Sequence, residues 1–289
     1  MDTYKGFMKP IHYKATTFNF RESVVWTEQI LKSNRDVFST KLVNVLHTWI
    51  SHYKDSFEMN NLDENQLTER RREQGKILKA FYSMQNDIHN LAVLIDLLED
   101  ASKIRFKRWL YSDVIVENYI VNIRSIYDFT VLLMRTALTD KQRKDLNKDV
   151  DTISGLRKKL KNNKKLISYK FIEVLNKHDS NFQWVRSIRD RLIHDGDELT
   201  INFDDNDKAM IVVYKLNKIE DEADNEYIKQ ELDLMMVLRD ITNNLFDYLD
   251  DLADVIYEIL SENREEPLPI TYTAFEGFCI PKFVKFLGR

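Results

Sequence analysis

Apolar side chains recur every three or four residues along most of the chain. The clearest stripes lie at 37–53, 77–98, 115–133 and 226–262, and a shorter one covers 182–194. This spacing places the apolar side chains on one face of a helix, and helices that pack together bury such faces. The pattern predicts an all-α protein, a helical bundle.

The positions of proline support this prediction. The four prolines are Pro10, Pro267, Pro269 and Pro281, so none interrupts residues 11–266. Proline inside a helix removes a hydrogen-bond donor and clashes with the preceding turn, which is why long helices avoid it.

One stretch has a different pattern. Residues 199–203 alternate between polar and apolar, and 210–214 are rich in β-branched side chains, with a polar link between them. Alternation bounded by a polar turn is typical of a hairpin. We therefore expect a small inserted β-hairpin near 199–216.

The chain divides by pattern into three regions. Residues 1–105 form an N-terminal helical region of unknown role, and 106–266 form the helical bundle. Residues 267–289 form an irregular aromatic arm that lies over the bundle or a neighbouring subunit. The charged segment 63–76 fits either a solvated helix or a loop.

Composition narrows the class of protein. Hydrophobic residues make up 43% and charged residues 31%, and no apolar run reaches the roughly 18 residues that a membrane span needs. The single cysteine, Cys279, excludes an internal disulfide and a thiolate metal cage. No glycine-rich phosphate loop is present. We expect a cytoplasmic protein without a metal or cofactor.

Charge is unevenly distributed although the net charge is only −4. Residues 156–170 contain no acid and carry several basic side chains, among them Lys158, Lys159, Lys161, Lys164 and Lys165. Such a segment is a candidate site for RNA phosphates, which would make binding depend on salt. A solvated helix face is the alternative.

The segment 182–196 combines several features of a helix end. Val185 and Ile188 fall on its apolar stripe, and Gly196 suits the left-handed residue that ends a helix. His194 then lies in the last turn. Asp190 precedes it by four residues, so its carboxylate can reach the imidazole ring.

This helix end resembles the signature of the HEPN superfamily. The sequence has Arg189, then four residues beginning with the polar Asp190, then His194, the short form of the family's arginine–histidine motif. The resemblance covers roughly residues 110–262, including 117–128, which looks like a bundle helix that packs beside the motif.

The resemblance implies a metal-independent endoribonuclease that acts as a homodimer. His194 would be the general base or acid, Arg189 would hold the scissile phosphate, and Asp190 would orient His194. The products would carry a 2′,3′-cyclic phosphate and a 5′-hydroxyl. A toxin or phage-defence role, with a cognate antitoxin or partner protein, would fit the family.

Two other functions remain open at this stage. The chain could be a non-catalytic HEPN-like module that binds RNA, a nucleotide or a protein partner, or a purely structural helical interaction protein. In these cases His194 is an ordinary histidine at a helix end and Arg189 is a surface ion-pair partner of Asp190 or Glu198.

Overall fold

The computed structural model describes residues 42, 45, 46, 49, 64–146, 150–190, 200–205, 208–217, 226–262 and 281–288. Its helices are α1 (Glu64–Ser102), α2 (Arg105–Met134), α3 (Asp140–Leu146), α4 (Ile153–Asn162), α5 (Tyr169–Lys177), α6 (Asp179–Asp190), α7 (Leu234–Glu262) and α8 (Pro281–Leu287), and a 3-10 turn covers Arg135–Ala137. Three short strands form one sheet. The predicted helical bundle with a small β insertion is confirmed.

Helices α1 and α2 form a long antiparallel hairpin that makes up one side of the core. The charged segment 63–76 is helical from Glu64 onward, which decides between the helix and the loop. Apolar side chains of α1, such as Phe81, Ile88 and Ile95, are buried against α2. The short turn at 103–104 forces the two helices to lie side by side.

Helix α7 runs through the centre of the core. Its inward face is a continuous apolar stripe of Leu238, Leu245, Leu249, Leu252 and Ile256, all buried. Two buried hydroxyl pairs join α7 to α2, Tyr119 with Thr242 at 2.6 Å and Tyr248 with Thr130 at 2.7 Å. Burial raises the pKa of both phenols, so they stay neutral and can be enclosed in the core.

The sheet corrects one predicted helix boundary. Strands β1 (Ile201–Phe203) and β2 (Ala209–Asn217) form the predicted hairpin, and β3 (Glu226–Asp233) adds a third antiparallel strand. The predicted helix over 226–262 is therefore wrong for 226–233. Residues 226–233 pair with the outer edge of β2, and α7 begins only at Leu234, where the Asp233 carboxylate accepts a hydrogen bond from the Met236 N–H at 3.1 Å.

The C-terminal end also differs from its prediction. Residues 281–287 form α8 instead of an irregular segment, while 267–280 lie outside the described residues. Phe283 and Phe286 are buried, and α8 packs against α1 and α7. Asn243 donates to the Leu287 carbonyl at 3.2 Å. The end of the arm thus belongs to the core.

Two further predictions concern the first hundred residues. In the predicted helix at 37–53, the described positions are Leu42, Val45, Leu46 and Trp49; all four are helical and buried, and the rest lie outside the described residues. The domain division at residue 105 stays a prediction.

In the described ranges, no helix is both long and apolar enough to cross a bilayer.

Candidate functional site

Helix α6 carries the arginine and the aspartate of the suspected signature in its last turn. Its inward face is formed by Phe182, Val185 and Ile188, which are buried as their spacing predicts. Arg189 and Asp190 lie off this face, with side chains 32% and 36% exposed. Both can therefore reach a solvent-borne ligand. His194 lies outside the described residues.

Asp190 is held between two arginines. Its carboxylate accepts hydrogen bonds from Arg186 Nε and from Arg189 Nη1, each at 3.1 Å. Burial alone would raise the pKa of Asp190, but the two arginines outweigh that effect and lower it. Asp190 is therefore ionised at neutral pH, and its described contacts orient Arg189. The predicted orientation of His194 by Asp190 stays a prediction.

A second carboxylate, on α2, lies close to this helix end. Asp128 forms an ion pair with Arg124, one turn earlier, and its carboxylate accepts a hydrogen bond from the Ile153 N–H at 3.0 Å. Burial raises the pKa of Asp128, and the charges of Arg124 and of Arg189 partly counteract the rise. Asp128 thus links α2 to the start of α4 and lies within electrostatic range of the positive charge of Arg189.

An aromatic ring connects the arginines of this region. The Phe182 ring lies 4.8 Å from the Arg124 guanidinium carbon and 5.6 Å from that of Arg157, and it meets Tyr127 edge-on at 5.5 Å. Arg157 also pairs with Asp179 at 2.8 Å. These contacts hold α2, α4 and α6 together beneath the candidate site.

Sequence reasoning missed Asp128 and Arg124 as part of the site. The sequence of 117–128 predicts only a helix that packs beside the motif. The available signal was the spacing of four between Arg124 and Asp128, which permits an ion pair on one helix face. That spacing is common on solvated helices, so it could not reveal that the pair is enclosed.

The five lysines of the predicted RNA track are exposed. Lys158, Lys159 and Lys161 lie on α4, and Lys164 and Lys165 follow in the turn before α5. Within the described residues, none of the five makes an ion pair, in contrast to Arg157. Since α4 starts at the residue bonded to Asp128, its lysines lead away from the candidate site, with Lys158 about 8 Å and Lys161 about 12 Å along the helix.

A further polar cluster fixes the corner before α6. His178 lies between α5 and α6 and is nearly buried; its Nε2 is 2.6 Å from Asp251 Oδ2 on α7. Lys177 donates to the same oxygen at 2.7 Å, and the His178 ring meets Tyr248 edge-on at 5.6 Å. This cluster sets the direction in which α6 leaves the corner.

Loss of the Asp251 charge should destabilise the fold in acid. Burial raises the pKa of Asp251, but hydrogen bonds from His178 and Lys177 outweigh that effect, so the pKa lies below its usual value. A lowered folded-state pKa contributes stability above the unfolded pKa of about 3.9, and this contribution is lost as pH falls through the folded value. Urea unfolding from pH 7 to pH 3 should show the difference between wild type and Asp251→Asn shrinking below about pH 4.

A matched control is Asp240→Asn, because Asp240 is an exposed acid on the same helix. This variant should track the wild type at every pH. An equally large, pH-independent loss in Asp251→Asn would contradict the proposed linkage.

Comparisons with known proteins do not assign the chain to a family. No family model, no curated protein and no solved structure matches the chain. Among the described residues, no group of three or more histidine, cysteine, aspartate or glutamate side chains could hold a metal ion. The chemistry that the site can support must be argued from Arg189, Asp190 and their surroundings.

Proposed function

We propose that the chain is a metal-independent endoribonuclease of the HEPN type that acts as a homodimer. The observation that carries the proposal is the last turn of α6, where the Asp190 carboxylate holds a partly exposed Arg189. Exposed lysines lie on α4 and in the turn that follows it. A guanidinium oriented in this way can offer paired hydrogen bonds to a phosphate. Lysines without ion pairs attract the RNA backbone.

In the proposed reaction, the ribose 2′-oxygen attacks the adjacent phosphorus and the bond to the 5′-oxygen breaks. His194 accepts the 2′-hydroxyl proton or donates a proton to the leaving oxygen, since an unperturbed imidazole titrates near pH ~6.5. Arg189 stabilises the negative charge that grows on the phosphate oxygens. The products are a 2′,3′-cyclic phosphate and a 5′-hydroxyl, with no net consumption of protons or water.

The resemblance to HEPN proteins is what brings RNA and His194 into this proposal. A toxin or phage-defence role in the cytoplasm, with a cognate antitoxin or partner protein, belongs to the same proposal. It rests on the resemblance alone.

An RNA-cleavage assay with EDTA present tests the proposal. Purified wild-type chain should cut single-stranded RNA. The new 3′ ends should resist extension by a poly(A) polymerase until the cyclic phosphate is opened by acid and the remaining phosphate is removed by a phosphatase, and the new 5′ ends should accept a phosphate from a polynucleotide kinase. Activity that disappears with EDTA and returns with a divalent ion would contradict the metal-independent mechanism.

A second candidate function is a module that binds RNA without cutting it. The exposed lysines of α4 and the following turn support binding by themselves, because phosphate attraction needs no catalytic group. The cleavage assay, combined with an RNA-binding measurement, separates the two functions. Salt-sensitive RNA binding in a mobility-shift experiment, without cleavage products, would favour the binding module.

A further inference from the structure

An exposed tyrosine follows the lysine-rich turn between α4 and α5. Tyr169 is 65% exposed. It is the first residue of α5, four positions after Lys165, so the two Cα atoms are at most about 14 Å apart. In the described part of the chain, the other exposed aromatic side chains, Tyr82, Phe106 and Tyr111, lie on α1 and α2. Tyr169 therefore differs from them in its position next to a group of lysines.

Asn163 builds the turn that displays Lys164 and Lys165. The Leu166 N–H donates to the Asn163 carbonyl at 3.4 Å, and the Lys165 N–H donates to Asn163 Oδ1 at 3.0 Å. These bonds close a four-residue turn with both lysines at its central positions. Leu166 and Ile167 are buried, which anchors the turn to the core and leaves both lysines in solvent.

The backbone at Tyr169 is fixed from both sides. Ser168 precedes it as the N-cap of α5; its Oγ accepts from the Lys170 N–H at 3.4 Å, and its carbonyl accepts from the Phe171 N–H at 3.1 Å. Phe171 is buried in the core. The ring is thus open to solvent on a backbone that is already ordered, and a ligand that binds to such a platform loses little of its affinity to ordering the protein.

The charge changes sign on the far side of Tyr169. Lys170 Nζ lies 2.7 Å from both Glu258 and Glu262 at the end of α7, so these two carboxylates are engaged by Lys170. Glu173 is exposed one turn after Tyr169. Within the described residues, the lysines of the turn have no acidic partner. A polyanion bound along these lysines therefore reaches Tyr169 where the basic surface ends.

A basic turn beside one exposed ring matches an unpaired strand of RNA. Phosphates attract lysines whatever the sequence, and an unpaired base can stack on a tyrosine ring. A duplex keeps its bases stacked inside and offers the ring no base face. An acidic peptide would satisfy the lysines but would leave the ring without a partner.

We propose that Tyr169 stacks on an unpaired base of single-stranded RNA whose phosphates are bound by Lys164 and Lys165. The choice of RNA rests on the proposed function, whereas the single-stranded form follows from the ring and the turn. Cleavage is not required, since a nuclease and a binding module would use the same contacts.

Fluorescence anisotropy with the full-length chain tests the stack. The probe is a short single strand of 2′-O-methyl RNA, which cannot be cut by attack of its 2′-oxygen. Wild type should bind it at least about 10-fold more tightly than the duplex formed with its complement, and Tyr169→Ala should weaken single-strand binding by about 10-fold, a usual loss for one base–aromatic stack. Tyr169→Phe should bind like wild type, and Tyr169→Leu like Tyr169→Ala.

A strand of the same length without bases separates stacking from charge. On this abasic strand, Tyr169→Ala should bind as wild type does. Lys164→Gln/Lys165→Gln should weaken binding to both strands and should reduce the slope of log affinity against log salt by about 1.4, since each single-strand phosphate contact contributes about 0.7. The matched control is Tyr82→Ala, which removes an exposed tyrosine from α1 and should change no affinity.

The proposal is overturned if the wild type does not bind the single strand, or if it binds the duplex or polyglutamate equally well. Unchanged affinity in Tyr169→Ala, or a loss that persists on the abasic strand, would have the same consequence. Cleavage is measured separately with unmodified RNA. A chain that binds as expected and cuts nothing would refute only the nuclease, and a chain that cuts RNA but binds it equally well as Tyr169→Ala would refute only the stack.

Discussion

Replacing His194 with alanine is expected to reduce RNA cleavage by about 10²–10⁴-fold, the usual contribution of a general acid or base. RNA affinity should change little, because Arg189 and the lysine track bind the phosphates. The variant should fold normally, because the sequence places His194 at the predicted end of its helix, where a side chain fills little core volume. Single-turnover cleavage, RNA binding and thermal melting measure the three parts separately.

Arg189 allows a sharper comparison at the same site. Arg189→Lys keeps the positive charge but loses the planar fork that bonds a phosphate and the Asp190 carboxylate together. We expect it to lose most of the cleavage that Arg189→Ala loses. The control is His89→Ala, which removes an exposed histidine from α1 and should leave cleavage intact. Equal activity in wild type, Arg189→Ala and His194→Ala would remove both proposed roles.

Replacing Asp128 with alanine is expected to lower the free energy of unfolding by about 3 kcal/mol, the low end for breaking a buried ion pair. The Arg124 side chain is only 9% exposed, so its charge would be left enclosed without its ion-pair partner, beside Ser154 and the Phe182 ring. The Ile153 N–H at the start of α4 would also lose its acceptor. Urea denaturation at neutral pH measures the loss.

A double variant distinguishes loss of charge pairing from loss of packing. Arg124→Met/Asp128→Leu removes both charges and keeps an apolar side chain against Phe182, so it should be clearly more stable than the sum of the two single variants predicts. Asp128→Asn should lose less stability than Asp128→Ala, because the amide oxygen can still accept the hydrogen bond from the Ile153 N–H. Additive losses in the double variant would show that the two charges are not coupled.

The helical part of the fold was predictable because the apolar periodicity within each long helix is sufficient to identify it. The stripes at 77–98 and 115–133 repeat for many turns, and no proline interrupts them. Strand β3 was not predictable in the same way. Its residues, 226–233, join directly onto the stripe of α7, and only the pairing with β2 assigns them to the sheet.

The site was predictable only where its residues lie close together in sequence. Arg189 and Asp190 are neighbours on one helix, so their spacing already indicates the contact that the structure contains. Asp128 is more than sixty residues away, and its relation to Arg189 depends on how α2 packs against α6. The His178–Asp251 pair joins different helices in the same way.

The sequence by itself determined the helical class, the apolar faces and the position of Arg189 and Asp190 off the apolar face of their helix, because local periodicity and spacing along one helix decide these. Tertiary structure alone decided which charges are enclosed, that Asp128 lies within electrostatic range of Arg189, and which face of α2 stays exposed. Those properties depend on the packing of helices that are distant in sequence. A hydrophobic pattern shows that a helix face is apolar, but it does not show which part of the protein covers that face.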